Sequence, residues 1–227
     1  MDKLQEYFNQ LEFKPKNINL YILAFTHPSY NADAKTKHHD YERLEYIGDA
    51  VIGFVVADLI YKIHPHMDQG LMSKLRSNIV RSSSLAEYAR KLNYASYIRT
   101  GQSIQHDQIN RSNKILEDVF EASVGAIYLD QGINVAYKFI KNIVDKDIHN
   151  VDIYELTDAK TRLQEEMQAA HQDRVSYELI STEGPAHNRS FTVNVVFNGV
   201  VLATGKGKSI KAAEEDAARQ ALNKRSI

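Results

Sequence analysis

Cysteine is absent from the 227 residues, which excludes disulfides and thiolate metal sites and fits a reducing compartment. An excess of one charge is missing too. Lys and Arg number 28 against 29 Asp and Glu, a net charge of −1, so any surface for a polyanion must be a local basic stripe. No apolar run approaches the ~18 residues of a membrane span; the longest, Ala50–Ile60, is interrupted by Asp58. The opening MDKLQEYFNQ has no apolar core of signal-peptide length. These absences predict a cytoplasmic protein with no membrane partner. What is present, 43% hydrophobic and 25% charged residues, is ordinary for a globular chain. The length suits one large domain or a mid-sized domain plus a small one.

From Lys3 to about Val151 the apolar spacing is helical almost throughout. Leu4, Tyr7, Phe8 and Leu11 mark a first helix that stops near Pro15, and Leu20–Phe25 a second that ends before Pro28. Asp40–Ile63 is the strongest helix, closed by Pro65 and Gly70. Further helices are expected at Leu71–Arg81 and at Ser84–Leu92, with Ser82, Ser83 or Ser84 as N-cap. Gly101–Asn113 reads as a polar loop, followed by helices at Lys114–Leu129 and Asn134–Asp147. Near residue 150 the pattern changes. After a helical stretch at Asp158–His171, Val175, Tyr177 and Leu179 alternate, as do Phe191, Val193, Val195 and Phe197. Asn198-Gly199 is a hairpin signal, since both turn positions need positive φ. An Ala-rich helix over Ile210–Asn223 ends the chain. The expectation is an all-α domain over 1–148, a linker at 149–156, and a small α+β domain of order α-β-β-β-α over 157–227.

Glu42, Glu45 and Asp49 are spaced three and four apart, so on a helix they share one face, within roughly 60° at about 100° per residue. Leu44, Ile47, Val51 and Phe54 lie opposite. One reading is a solvated acidic face. Against it, the same stripe continues through Gly53, Val56 and Ile60, and a helix apolar all round belongs in an interior. There, like charges need a cation. Asp118 and Glu121 form a matching pair, with Ala122 and Gly125 near the same face leaving room for a helix or ligand. Glu45 and Asp49 facing Asp118 and Glu121 would make an all-oxygen site suited to Mg²⁺ or Mn²⁺. No helical His–x₃–His pair accompanies them, which disfavours zinc. Such a site suits phosphoryl transfer, but the spacing does not name a substrate.

The run ERLEYIGDAV (Glu42–Val51) resembles the signature of the ribonuclease III family, and LEDVFEASVGAIYLDQG (Leu116–Gly132) its second acidic segment. Phe25–Tyr30 resembles the family's early THPSY-type motif, while Lys74-Leu75-Arg76 and Leu85-Ala86 resemble the helices between the signatures. With the C-terminal domain, the likeness extends from Leu4 to about Ala221. It implies a double-stranded-RNA endoribonuclease whose metal ligands are Glu45, Asp49, Asp118 and Glu121. Asp49 and Glu121 would be coupled most directly to the chemistry, with Glu42 in support. It also implies a homodimer in which each catalytic domain cuts one strand, leaving short 3′ overhangs. Tyr46 then matches the plug of the dimer contact; ordinary core packing is the other reading. Glu117 departs from the family's usual Ala and is expected to be a bystander or a mild perturbation. Lys114, four residues before Asp118, reads as a helix ion pair, or else as a contact to the scissile phosphate or a compensating charge.

Duplex RNA is recognised by shape, through 2′-hydroxyls in two minor grooves and the phosphates between them. Thr161, Gln164, Glu165 and Gln168 offer polar groups on one helix, and Gly184-Pro185-Ala186-His187 a loop with His187 at its end. Lys206, Lys208 and Lys211 flank a helix start that already favours phosphate. Together KTRLQE, GPAH and GKGKSIKAAEEDAA, the last containing Ser209, resemble a double-stranded-RNA-binding domain. Ile210 stands where the family often has a second lysine, which removes about one counterion from the salt dependence. The composite expectation is an Mg²⁺-dependent nuclease, with Mn²⁺ able to substitute and no small-molecule cofactor. The alternatives are an RNA-binding protein with a silent centre, which the four intact acids disfavour, and a phosphohydrolase of small molecules, which the C-terminal domain disfavours.

Overall fold

Among the described residues, the longest stretch without an exposed side chain is 115–128, and it forms the heart of helix α7 (Asn113–Gln131). In the computed structural model, which describes residues 3–31, 39–152, 157–171, 174–185 and 188–225, the chain divides into two compact units, Met1–Val151 and Asp152–Ile227.

The first unit is helical. Helices α2 (Ile18–Ala24), α3 (Glu42–Ile63), α5 (Ser82–Lys91), α6 (His106–Arg111) and α8 (Ile133–His149) pack on α7, while α1 (Lys3–Gln10) is held by Tyr7 against Phe25 and Tyr94 and α4 (Gln69–Ile79) packs on α3 and α8. Ser112 caps α7 by accepting from the Ile115 amide at 3.3 Å, and Gly132 ends it at φ 86°, a conformation that favours glycine. Asp130, in the last turn, accepts from the amides of Lys16 and Asn17 and from the Tyr21 hydroxyl at 2.8–3.0 Å. That carboxylate ties the start of α2 to the end of α7. Tyr7, Phe25, Tyr94 and Phe120 are fully buried and pack edge-on or tilted, an arrangement that favours aromatic pairs beyond their area alone.

Three local expectations change. The expected loop Gly101–Asn113 contains α6, opened by the Gln105 amide donating to Gln108 Oε1 at 3.0 Å. The three serines at 82–84 are not N-caps: the helix already begins at Ser82, with Arg81 before it, and Ser84 Oγ donates to the Asn78 carbonyl at 2.7 Å. Finally, Phe54 does not join Leu44 and Val51 in the interior; it is 59% exposed while they are buried.

The second unit orders α9 (Ala159–His171), β1 (Ser176–Glu183), β2 (Ser190–Phe197), β3 (Val200–Gly207) and α10 (Ile210–Arg225). Its antiparallel sheet has the order β1-β2-β3. Asn198 and Gly199, at φ 49° and 77°, make the tight turn between β2 and β3. Leu163 and Met167 from α9, Val195 and Ala203 from the sheet, and Ala217 and Ala221 from α10 form its core. The alternation expected along β1 breaks at Leu179, which is half-exposed, and the pairing with β2 then shifts between Leu179 and Ser181. Such a bulge turns later side chains out of phase. The architecture is thus a helical unit followed by an α-β-β-β-α unit.

Candidate active site

Helices α3 and α7 meet backbone to backbone. A Cβ added at Gly48 would collide with the Glu121 carbonyl oxygen, and one added at Gly125 with the Leu44 carbonyl oxygen. Only glycine permits this approach, and it brings the acids of the two helices together. Glu45, Asp118 and Glu121 each offer a carboxylate oxygen, all within 4.8 Å of one another. Asp118 and Glu121 are buried and Glu45 half-buried. Asp49 lies on the exposed side of α3, outside this three-residue group, yet its charge acts on Glu121. Glu42 is exposed, and its charge acts weakly on Glu45.

Burial, then the charges of Asp49, Glu117, Glu45 and Asp118, pushes the Glu121 carboxyl up to about 8. Burial and Asp118 also raise Glu45, with Lys114 opposing. A concentration of like charge in a poorly solvated place is what a cation relieves. The chain supplies one itself: Lys114 Nζ lies 2.6 Å from Asp118 Oδ1 and 3.5 Å from Glu45 Oε1. The expected ion pair within the helix is therefore present, but it also spans to the neighbouring helix. Its side chain is 70% exposed, so it can move away at little cost. The oxygen donors fit a hard divalent ion.

Two contacts are invisible to helical spacing. The Tyr41 hydroxyl donates to Asp118 Oδ2 at 3.1 Å, and burial followed by the Asp118 charge raises this phenol well above its ordinary range. Ser82 Oγ donates to Glu117 Oε2 at 2.6 Å, joining α5 to α7. Glu117 is thus more engaged than a bystander, since it also raises Glu121. Tyr46 belongs to no core of this unit: it is 81% exposed.

In the second unit Thr161, Glu165 and Gln168 are exposed along α9. Gln164 is not aligned with them; its Oε1 accepts from the Val175 amide at 3.1 Å and so anchors the approach to β1. Gly205 and Gly207 press β3 against the start of α10, where any Cβ would strike the Ala212–Ala217 backbone. This close packing leaves Lys206, Lys208 and Lys211 exposed around the helix N-terminus. Lys208 Nζ donates to Asn188 Oδ1 at 2.6 Å, and Ser209 Oγ caps α10 by accepting from the Ala212 amide at 3.1 Å. His187 lies outside the described residues.

A helical unit with paired acids, followed by a fold suited to duplex RNA, defines a class: nucleases that grip a double helix. Residues 17–147 match the ribonuclease-III-like family model and residues 159–225 the double-stranded RNA binding motif. The chain belongs to the ribonuclease III family of metal-dependent double-stranded-RNA endoribonucleases. It is 40% identical to Ribonuclease 3 of Bacillus cytotoxicus over 209 residues, 92% of this chain and 85% of that protein. With Ribonuclease 3 of Streptococcus pyogenes the identity is 38% over 224 residues, 98% and 97% of the two chains. The crystal structure of the Campylobacter jejuni ribonuclease III nuclease domain aligns with 30% identity and a TM-score of 0.57, covering 67% of this chain and 98% of that one.

Proposed function

We propose that Glu45, Asp49, Asp118 and Glu121 hold Mg²⁺, with Mn²⁺ able to substitute, and that this centre hydrolyses the phosphodiesters of duplex RNA. The observation that carries this reading is the convergence of Glu45, Asp118 and Glu121 within 4.8 Å from two helices. When bound, the metal supplies an activated water and stabilises charge on the phosphate. Asp49 and Glu121 stand nearest the chemistry, and Glu42 supports Glu45. Lys114 balances the acids until a cation arrives, after which its exposed ammonium is free to meet phosphate. The products are 5′-phosphate and 3′-hydroxyl ends with short 3′ overhangs, from ribosomal and other structured RNA in the cytoplasm.

The catalytic domain takes residues 1–148 and the RNA-binding domain 157–227, joined by 149–156. Duplex RNA is gripped by Thr161, Gln164, Glu165, Gln168, His187, Lys206, Lys208, Ser209 and Lys211, with Gln164 acting through its hold on Val175. Two copies pair through the face of α3 that carries Tyr46 and Phe54, 81% and 59% exposed. A solved Campylobacter jejuni nuclease domain has a region involved in dimer formation. No small-molecule cofactor takes part.

The test is cleavage of a labelled RNA duplex with Mg²⁺ and with EDTA, for the wild type and Glu121→Gln. Cutting is expected only for the wild type in Mg²⁺, with the variant slower by at least about a hundredfold, the upper range for groups around a metal. Its gel-shift affinity should stay within about twofold of the wild type, because the neutral amide changes little outside the metal site. Wild-type rates in EDTA or in Glu121→Gln would refute the assignment.

A further inference from the structure

We infer that Tyr41 is a positioning residue for the Asp118 carboxylate, holding its Oδ2 so that Oδ1 faces the space shared with Glu45 and Glu121. This rests on the proposed metal site and adds a residue to it. Asp118 is 5% exposed, and its two oxygens are engaged differently. Oδ2 accepts the Tyr41 hydroxyl at 3.1 Å, a bond between buried partners. Among the described residues Oδ1 meets only the ammonium of Lys114, 2.6 Å away on a 70% exposed side chain. One oxygen is thus fixed by an immobile donor, and the other is covered by a cation that can leave. Rotating the carboxylate to use Oδ2 instead would break the phenol bond inside the protein, where an unmet donor is costly.

The rest of Tyr41 is built to keep that hydroxyl in place. The residue is 3% exposed. Its amide donates to the Thr26 carbonyl at 3.1 Å, and its own carbonyl accepts from Leu44 and Glu45 at 2.8 and 2.9 Å. The residue that steadies Asp118 on α7 therefore also opens α3, the helix that carries Glu45. Its ring packs edge-on against His27 at 5.6 Å. His27 in turn is held by the Ser29 amide, which donates to its Nδ1 at 3.0 Å, and by its own amide donating to the Arg99 carbonyl at 3.0 Å. The Thr26–Tyr30 segment, which has no acid of its own, thereby reaches the site through Tyr41, which it holds by the Thr26 carbonyl and the His27 ring. Groups that orient a metal ligand from behind typically change metal affinity by about 10–100-fold when removed.

The test is Mn²⁺ binding to the full-length, RNA-free protein, followed by electron paramagnetic resonance of the free ion. It compares the wild type, Tyr41→Phe, Asp118→Asn and the double variant. Phe keeps the ring against His27, and matching thermal melts in EDTA will confirm that the fold is kept. Tyr41→Phe should weaken Mn²⁺ binding about tenfold. In the Asp118→Asn background the same change should have no further effect, which a purely structural role would not produce. Equal Mn²⁺ affinity for the wild type and Tyr41→Phe overturns the inference while leaving the carboxylate site standing. Equal loss in both backgrounds also overturns it, since the hydroxyl would then act other than through Asp118. A wild type that binds no Mn²⁺ overturns both.

Discussion

Glu121 shows how a single side chain is altered by its surroundings. Its carboxyl, ordinarily near 4.5, is pushed up to about 8 by burial first and by neighbouring acids second. In the unfolded chain it releases its proton near 4.5, whereas in the folded, metal-free chain it keeps the proton until about 8. Between those values the folded state binds more protons than the unfolded state, so stability falls as pH rises. The limiting slope for one group is about 1.4 kcal/mol per pH unit, or roughly 3–6 °C in Tm per unit for a chain of this size. Thermal melts in EDTA from pH 5 to 8 should show this decline. Glu121→Gln should flatten it, and Mg²⁺ should offset it by binding the folded form. A Tm independent of pH in EDTA would show that Glu121 is solvated like a surface acid. At the same scale, the helical period identified Asp118 and Glu121 as sharing a face, but the Tyr41 bond to Asp118 spans 77 positions and leaves no trace in any local spacing.

At the scale of elements, the crossing of α3 and α7 determines whether the acids meet. Gly48 and Gly125 are the points of closest approach, each facing a carbonyl oxygen of the other helix. Gly48→Ala must push the helices apart, and overpacking of this kind costs about 3 kcal/mol. A fall in Tm of about 6–12 °C is expected by calorimetry, along with weaker Mn²⁺ binding, because Glu45 and Glu121 flank the same contact. Unchanged melting and binding would mean that the helices can separate without strain. The helix positions follow closely from apolar period and terminators, as with α3 ending at Ile63 before Pro65. A polar composition hid a short helix at His106–Arg111, and the alternation along β1 gave no sign of the pairing shift that follows Leu179. Both depend on hydrogen bonds to specific neighbours rather than on hydropathy.

For the whole molecule, the proposed division of labour predicts separable effects. Deleting residues 157–227 should weaken duplex binding and make cleavage more salt-sensitive, while slow cutting persists at low salt, because the acids lie wholly in the first unit. Loss of cutting at every salt concentration would give the second unit a role in folding or chemistry. Tyr46→Asp should shift the protein from dimer to monomer in analytical ultracentrifugation, since the proposed pairing through Tyr46 and Phe54 would leave the new charge unpaired. A dimer that persists would place the interface elsewhere.

Period, caps and turn residues carry their own structural information, so residue order alone determined the helical first unit, the α-β-β-β-α second unit and the two acidic segments with their family likeness. Only the tertiary structure decided that Glu45, Asp118 and Glu121 converge while Asp49 stays at the exposed edge, that Gln164 turns inward, and that Tyr46 and Phe54 face outward. The physical reason is distance along the chain. Local geometry places a side chain on its own helix, but which neighbour it meets depends on how two helices cross, and here that crossing is set by two glycines 77 residues apart.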